Sequence, residues 1–224
     1  MLLSPAEWTA LGVSLKVAAC ALALMALPGI PLAWLLARRR FPGRAVLDAL
    51  TSLPLVLPPV VTGFFLLWLL SPGSPVGGWL KRSLGLELVF TWPAAALAAA
   101  VVAFPLFLRS LRTAIEGVDT DLEEAAANLG ASPLRVFFTV TLPLARHGLL
   151  AGALLGFCRA LGEFGATILV AGNIPGRTQT IPLAIFSIAN TTELGAAVPL
   201  VLTVTALSFV LVLLADRALH HRAH

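Results

Sequence analysis

Long apolar runs limit this chain more than any other feature. Crossing the hydrocarbon of a bilayer takes about 20 predominantly apolar residues. Five such runs can be read, at about 10–37, 46–70, 91–109, 147–171 and 194–215. The composition agrees: 58% of residues are hydrophobic and 12% charged, against about 45–50% and 25% in soluble domains. The spacing therefore predicts an all-α integral membrane protein with five transmembrane helices in one domain over residues 1–224. Prolines at 28, 31, 54, 58, 59 and 105 interrupt the runs. A helical bundle accommodates them when neighbours satisfy the freed backbone groups. Pro54, Pro58 and Pro59 are expected to break the second run three times, and broken helices at membrane depth commonly line a pathway.

Basic residues set the orientation, because cytoplasmic loops carry excess Lys and Arg. One set of loops holds ten of them (Arg38, Arg39, Arg40, Arg44, Arg109, Arg112, Arg135, Arg146, Arg217 and Arg222), the other three (Lys81, Arg82 and Arg177). The N-terminus is thus expected outside and the C-terminus in the cytoplasm. The first basic residue is Lys16 and an Arg cluster follows the first run, the reverse of a secretory signal. Topology alone accounts for the net charge of +4, so no nucleic-acid partner is called for. Lys16 is expected to snorkel to the outer interface.

The chain carries no G-x-x-x-x-G-K-[ST], H-E-x-x-H or G-x-S-x-G pattern. It therefore offers no means of hydrolysing a nucleotide alone, and no catalytic constellation or metal site is predicted. Cys20 and Cys158 lie within apolar runs and read as small hydrophobes.

One stretch departs from the rest: DLEEAAANLGASPLRVFFTVTLP, residues 121–143, on the expected cytoplasmic side. Asp121 with Glu124 fits a capping box, and Glu123 and Glu124 favour a helix N-terminus. Three alanines follow. Gly130 stands where a left-handed residue would end the helix. Ser132-Pro133 restarts one, and Pro143 is expected to close the segment. The product is a short helix, a corner and a second helix: either an ordinary helical loop or a knob that fits another protein's groove.

The spacing E-A-A-x3-G-x9-[IV]-x-L-P, supplied by Glu124, Ala125, Ala126, Gly130, Val140, Leu142 and Pro143, resembles the signature of the membrane subunits of ABC-type importers. LARRRFPGR (36–44), LPLVLPPVVTG (53–63), LGEFGATI (161–168) and AGNIPGRTQT (171–180) resemble the molybdate permease branch, near the sulfate and tungstate permeases. The resemblance implies the type I importer (MetI-like) fold, with 121–143 as the coupling segment. It implies a multi-pass subunit of the cytoplasmic (inner) membrane working with a second copy of itself. Two ATPase subunits would bind ATP and Mg in this chain's stead, and a periplasmic or extracellular oxyanion-binding protein would deliver the cargo. Sulfate, thiosulfate or tungstate are the alternative cargoes, and an ion-coupled secondary carrier is the rival of another class.

Arg159 and Glu163, four apart, share a helix face and are expected to pair. Ionisable groups at membrane depth face the bundle interior or a water-filled cavity. With Thr62 and Gly63 they are the candidate pathway residues. Gly152, Gly156, Gly162 and Gly165 suit close helix packing. Asn173, Arg177 and Thr178, in an outer turn before a short apolar segment at 181–190, are the candidate contacts for the binding protein.

Overall fold

A computed structural model describes residues 3–191 and 194–220. Every regular element among them is helical. Helix α1 spans Pro5–Arg38. Ser4 caps it in a reciprocal box with Glu7, the Ser4 amide donating to Glu7 Oε2 at 2.6 Å and the Glu7 amide to Ser4 Oγ at 3.3 Å. Its 34 residues reach about 51 Å at 1.5 Å each, well beyond a 30 Å hydrocarbon layer. Pro28 and Pro31 are contained within the helix.

The second apolar run is a pair of helices, α2 (Arg44–Val56) and α3 (Pro59–Leu70), with a bend of 109° between them. Where three breaks were expected there is one. Pro54 stays inside α2, and only Leu57-Pro58 interrupts. Leu57 is extended because the following proline ring excludes its helical conformation. Pro59 then starts α3 at a position whose missing N–H is no loss. A short helix α4 (Pro75–Leu84) leads to α5 (Trp92–Glu116).

Helix α5 is the most buried crossing. Its alanines 95, 96, 99, 100 and 103 lie in one cluster with Val17, Ala18, Ala21 and Met25 of α1. After α5 come α6 (Thr120–Asn128) and α7 (Pro133–Val136). A π-helical turn at Phe137–Thr141 joins α7 to α8 (Leu142–Leu161). The helix therefore does not stop at Pro143, as the sequence suggested. The proline ring would clash with the carbonyl four residues back, and the helix instead widens by one turn and continues.

Glycines on α8 set its approach to α5. A methyl on Gly148 would stand 2.6 Å from Ala114 Cβ, and one on Gly152 2.9 Å from Ser110 Cβ and from Leu111 Cδ1. Gly156 faces Phe107 in the same way. The crossing resumes as α9 (Gly165–Ala171) after a break at Gly162–Phe164. Helix α10 (Ile181–Thr191) is too short to cross; the Ile181 amide donates to Ser14 Oγ at 2.7 Å, which seats it on α1. A 3-10 turn, Leu194–Ala197, leads into α11 (Val198–His220).

Leu200 clusters with Ala10 and Ile181, so α11 begins beside the start of α1. Among the described residues four helices are long and apolar enough to cross a membrane, and the bent pair counted as one span makes five. Lys16 Nζ lies 3.6 Å from the centre of the Trp92 ring, a cation–π contact between α1 and the start of α5. Cys20 and Cys158 are both free and half-buried.

Candidate functional site

The polar insert folds as a projecting corner. Its N-cap is Asp119, not Asp121: the Asp121 amide donates to Asp119 Oδ1 at 2.9 Å, so the helix starts two residues earlier than the capping-box pattern indicated. Asp121 and Glu123 then fall in the first turn, where the macrodipole favours them. Two bonds close the other end, Gly130 N to Ala127 O at 2.9 Å and Ala131 N to Ala126 O at 3.1 Å. Together they make a Schellman motif, which needs a left-handed residue at Gly130, and its φ is +88°. Ser132 caps the next helix, accepting from the Arg135 amide at 3.4 Å, with Pro133 in the first position.

Glu124, Ala125 and Gly130 are exposed, and Ala126 is half-buried. Glu124 makes no ion pair among the described residues. Leu129 stands at the tip, 90% exposed, flanked by exposed Leu122 and Leu134. A row of exposed leucines around a smooth alanine face is costly in water and suits burial against a partner. Val140 and Leu142 are half-buried in and after the π turn, and Pro143 is exposed. These last three shape the return to α8.

The inward face of α6 carries a residue that sequence reading did not single out. Glu123 Oε2 lies 2.9 Å from Arg38 Nε, and both side chains are largely buried. Arg38 Nη2 donates to Glu123 Oε1 at 3.2 Å and to Val118 O at 2.8 Å. Thr141 Oγ1 donates to the same Glu123 oxygen. The Nε contact is an ion pair without hydrogen-bond alignment, and the directed bonds come from Nη2. Spacing along the chain offers no signal for this partner, since Arg38 and Glu123 are 85 positions apart.

A second assembly sits where two broken helices meet. The start of α3 packs against α9 so closely that a Cβ on Gly63 would lie 2.7 Å from Ala166 Cα. One on Gly165 would lie 3.1 Å from Pro59 Cβ. Gly63 is therefore buried helix packing, not exposed backbone. Beside this contact, Glu163 Oε1 accepts from the Ala166 amide at 2.9 Å, restarting the helix after its break. Glu163 Oε2 pairs with Arg159 Nη1 at 2.9 Å. The carboxylate is buried, while the arginine keeps 32% of its side chain exposed. Thr62 Oγ1 and Thr167 Oγ1 are buried without a hydrogen-bond partner. The geometry thus groups Arg159 with Glu163 and puts Thr62 and Gly63 on the adjoining helix.

At the far end, the turn after Gly172 (φ +71°) holds itself together. Gln179 Nε2 donates to Asn173 Oδ1 at 2.9 Å, and the Ile174 amide donates to Thr178 Oγ1 at 3.0 Å. Thr178 is buried and braces the turn, Asn173 is half-buried, and Arg177 alone of the three is exposed. No group of three or more His, Cys, Asp or Glu arranged to hold a metal ion occurs among the described residues.

Residues 29–222 match the family described as the binding-protein-dependent transport system inner membrane component. The chain is 51% identical over 200 residues to the molybdenum transport system permease protein ModB of Escherichia coli strain K12, covering 88% of this chain and 87% of the relative. It is 50% identical over 186 residues to the protein of the same name from Haemophilus influenzae, covering 83% and 81%. Among solved structures, a chain of the inward-facing MetNI methionine ABC transporter superposes with a TM-score of 0.73 at 17% identity, covering 100% of both, a likeness of fold. On the extent of the family match and of these identities, the chain belongs to the inner-membrane permease components of binding-protein-dependent ABC importers.

Proposed function

We propose that this chain is the permease subunit of an ATP-driven importer that carries molybdate across the cytoplasmic membrane by alternating access. The observation that carries the mechanism is the projecting corner of α6, with Leu129 exposed at its tip and the exposed Glu124 carboxylate beside it. A separate ATPase subunit receives this corner in a groove. Closing of two such motors on ATP draws the corners of two permease copies together and opens the crossings outward. Hydrolysis and release reset them. This arrangement puts Arg38, α6 and the C-terminal end of α11 in the cytoplasm, in keeping with the distribution of Arg and Lys.

Two copies are called for because five crossings are few to enclose a wet route. Arg159 faces that route and attracts the oxyanion in passing, held in place by Glu163, whose own charge is taken up by Arg159 and the Ala166 amide. Thr62 offers a hydroxyl on the adjoining helix. Arg177, at the opposite end from α6, meets the binding protein, with Asn173 and Thr178 bracing its turn.

The two relatives carry molybdenum transport in their names, and this supports molybdate over sulfate, thiosulfate or tungstate. The test is uptake of radiolabelled molybdate, tungstate and sulfate into proteoliposomes holding the permease with its ATPase and binding protein. ATP-dependent molybdate accumulation supports the reading. Accumulation that persists without the ATPase and follows an ion gradient establishes the secondary-carrier alternative instead.

A further inference from the structure

Three consecutive arginines end the first helix, and they do different things. Arg39 and Arg40 are exposed. Arg38, the last helical residue, turns inward and reaches 85 positions along the chain to Glu123. A pure topology determinant needs charge near the membrane surface and no fixed partner. A largely buried guanidinium holding one carbonyl and one carboxylate is a built joint.

Its place in the fold gives it a role. Chain connectivity already ties α6 to α5, through residues 117–119, and to α8, through α7 and the π turn. Helix α1 has no such connection, yet it packs along α5 and against α8. Arg38 supplies the missing tie. One Glu123 carboxylate receives Arg38 from α1 and Thr141 from the approach to α8, while Arg38 also holds Val118 O at the entrance to α6. The carboxylate therefore collects three elements at one point. A desolvated pair of this kind is geometrically specific, and removing one member leaves the other charged and uncompensated.

We infer that the Arg38–Glu123 pair is a transmission joint: it fastens α6 to the first crossing, so that a displacement imposed on α6 is delivered to α1 together with α5 and α8. Without it, α6 swings on the glycine-containing corners at Gly117 and Gly130, and α1 is left behind. This inference rests on the reading of α6 as the element that the motor grips.

The test uses the whole complex in proteoliposomes, with ATP hydrolysis, oxyanion uptake and co-purification of the ATPase subunit measured side by side. Arg38→Gln and Glu123→Gln are expected to keep the ATPase subunit bound and hydrolysing. Uptake per ATP is expected to fall about tenfold, within the usual range of coupling between sites. The exchanged pair, Arg38→Glu with Glu123→Arg, is expected to recover most of that ratio. Arg40→Gln removes the same charge from an exposed position and is expected to leave it unchanged. Glu123→Gln is nearly isosteric, so it carries the test if Arg38→Gln does not assemble. Parent-like uptake per ATP in the single variants overturns the joint. So does an equal loss in Arg40→Gln, which would mean that only charge matters. If the unmodified permease retains no ATPase subunit, the docking reading of α6 falls, an outcome separate from any change in the uptake ratio.

Discussion

The contact between Gly63 and Ala166 allows a quantitative test of how α3 and α9 meet. In Gly63→Ala the new methyl would stand 2.7 Å from Ala166 Cα, 2.9 Å from its carbonyl oxygen and 3.2 Å from its carbonyl carbon. All three are backbone atoms, which cannot rotate away as a side chain can. Carbon atoms rest at about 3.5–4.0 Å, so α3 must withdraw by about 1 Å. Overpacking of this sort costs about 1–3 kcal/mol. The exchange of Gly for Ala inside a helix returns about 0.5–1 kcal/mol. The expected net loss is about 1–2 kcal/mol. Gly12→Ala is the matched control: Gly12 lies within α1 with nothing within 4 Å of an added methyl. It should be neutral or stabilising by up to about 1 kcal/mol. Chemical denaturation of both variants in one detergent gives the comparison through the transition midpoints. If Gly63→Ala is as stable as Gly12→Ala, the close approach of the two broken helices is wrong.

Other substitutions probe the corner and the buried pair. Gly130 is open to solvent, and only its φ of +88° penalises a side chain there, so Gly130→Val should cost about 1–2 kcal/mol of corner geometry and uncouple uptake, while Gly130→Asn is tolerated; vesicle uptake at the parent rate by the Val variant would count against the corner. Glu124→Lys and Leu129→Ser should leave the stability of the permease within about 0.5 kcal/mol, as expected of exposed sites, yet weaken ATPase binding, and undiminished co-purification would contradict the docking face. Arg159→Ala strands the buried Glu163 carboxylate and should cost about 3 kcal/mol, the low end for a broken buried pair because Arg159 is partly exposed. Adding Glu163→Gln should recover part of that loss; equal thermal stability of the single and double variants would dismiss the pair.

Features that depend on short stretches of chain are legible in the sequence. Apolar length marks a crossing because bilayer thickness sets it. The left-handed residue at Gly130 and the Ser132-Pro133 restart are local, since a cap involves residues three or four positions apart. The Arg159–Glu163 pair is legible for the same reason: four residues is about one helical turn. Even locally, competition between alternatives can mislead. Asp119 displaces Asp121 as cap, and Pro143 widens a helix instead of ending it.

Sequence alone determined that this is an all-helical membrane protein with a polar helix-corner-helix insert. That information is one-dimensional, carried by run length, charge placement and fixed spacing. Tertiary structure alone decided which distant groups meet: Arg38 with Glu123 and Thr141, Gly63 with Ala166, Ser14 with Ile181. Those partners are from 18 to 167 positions apart. No periodicity selects them, because an inward-turned arginine and an exposed one follow the same pattern along the chain and differ only in what the other helices bring beside them.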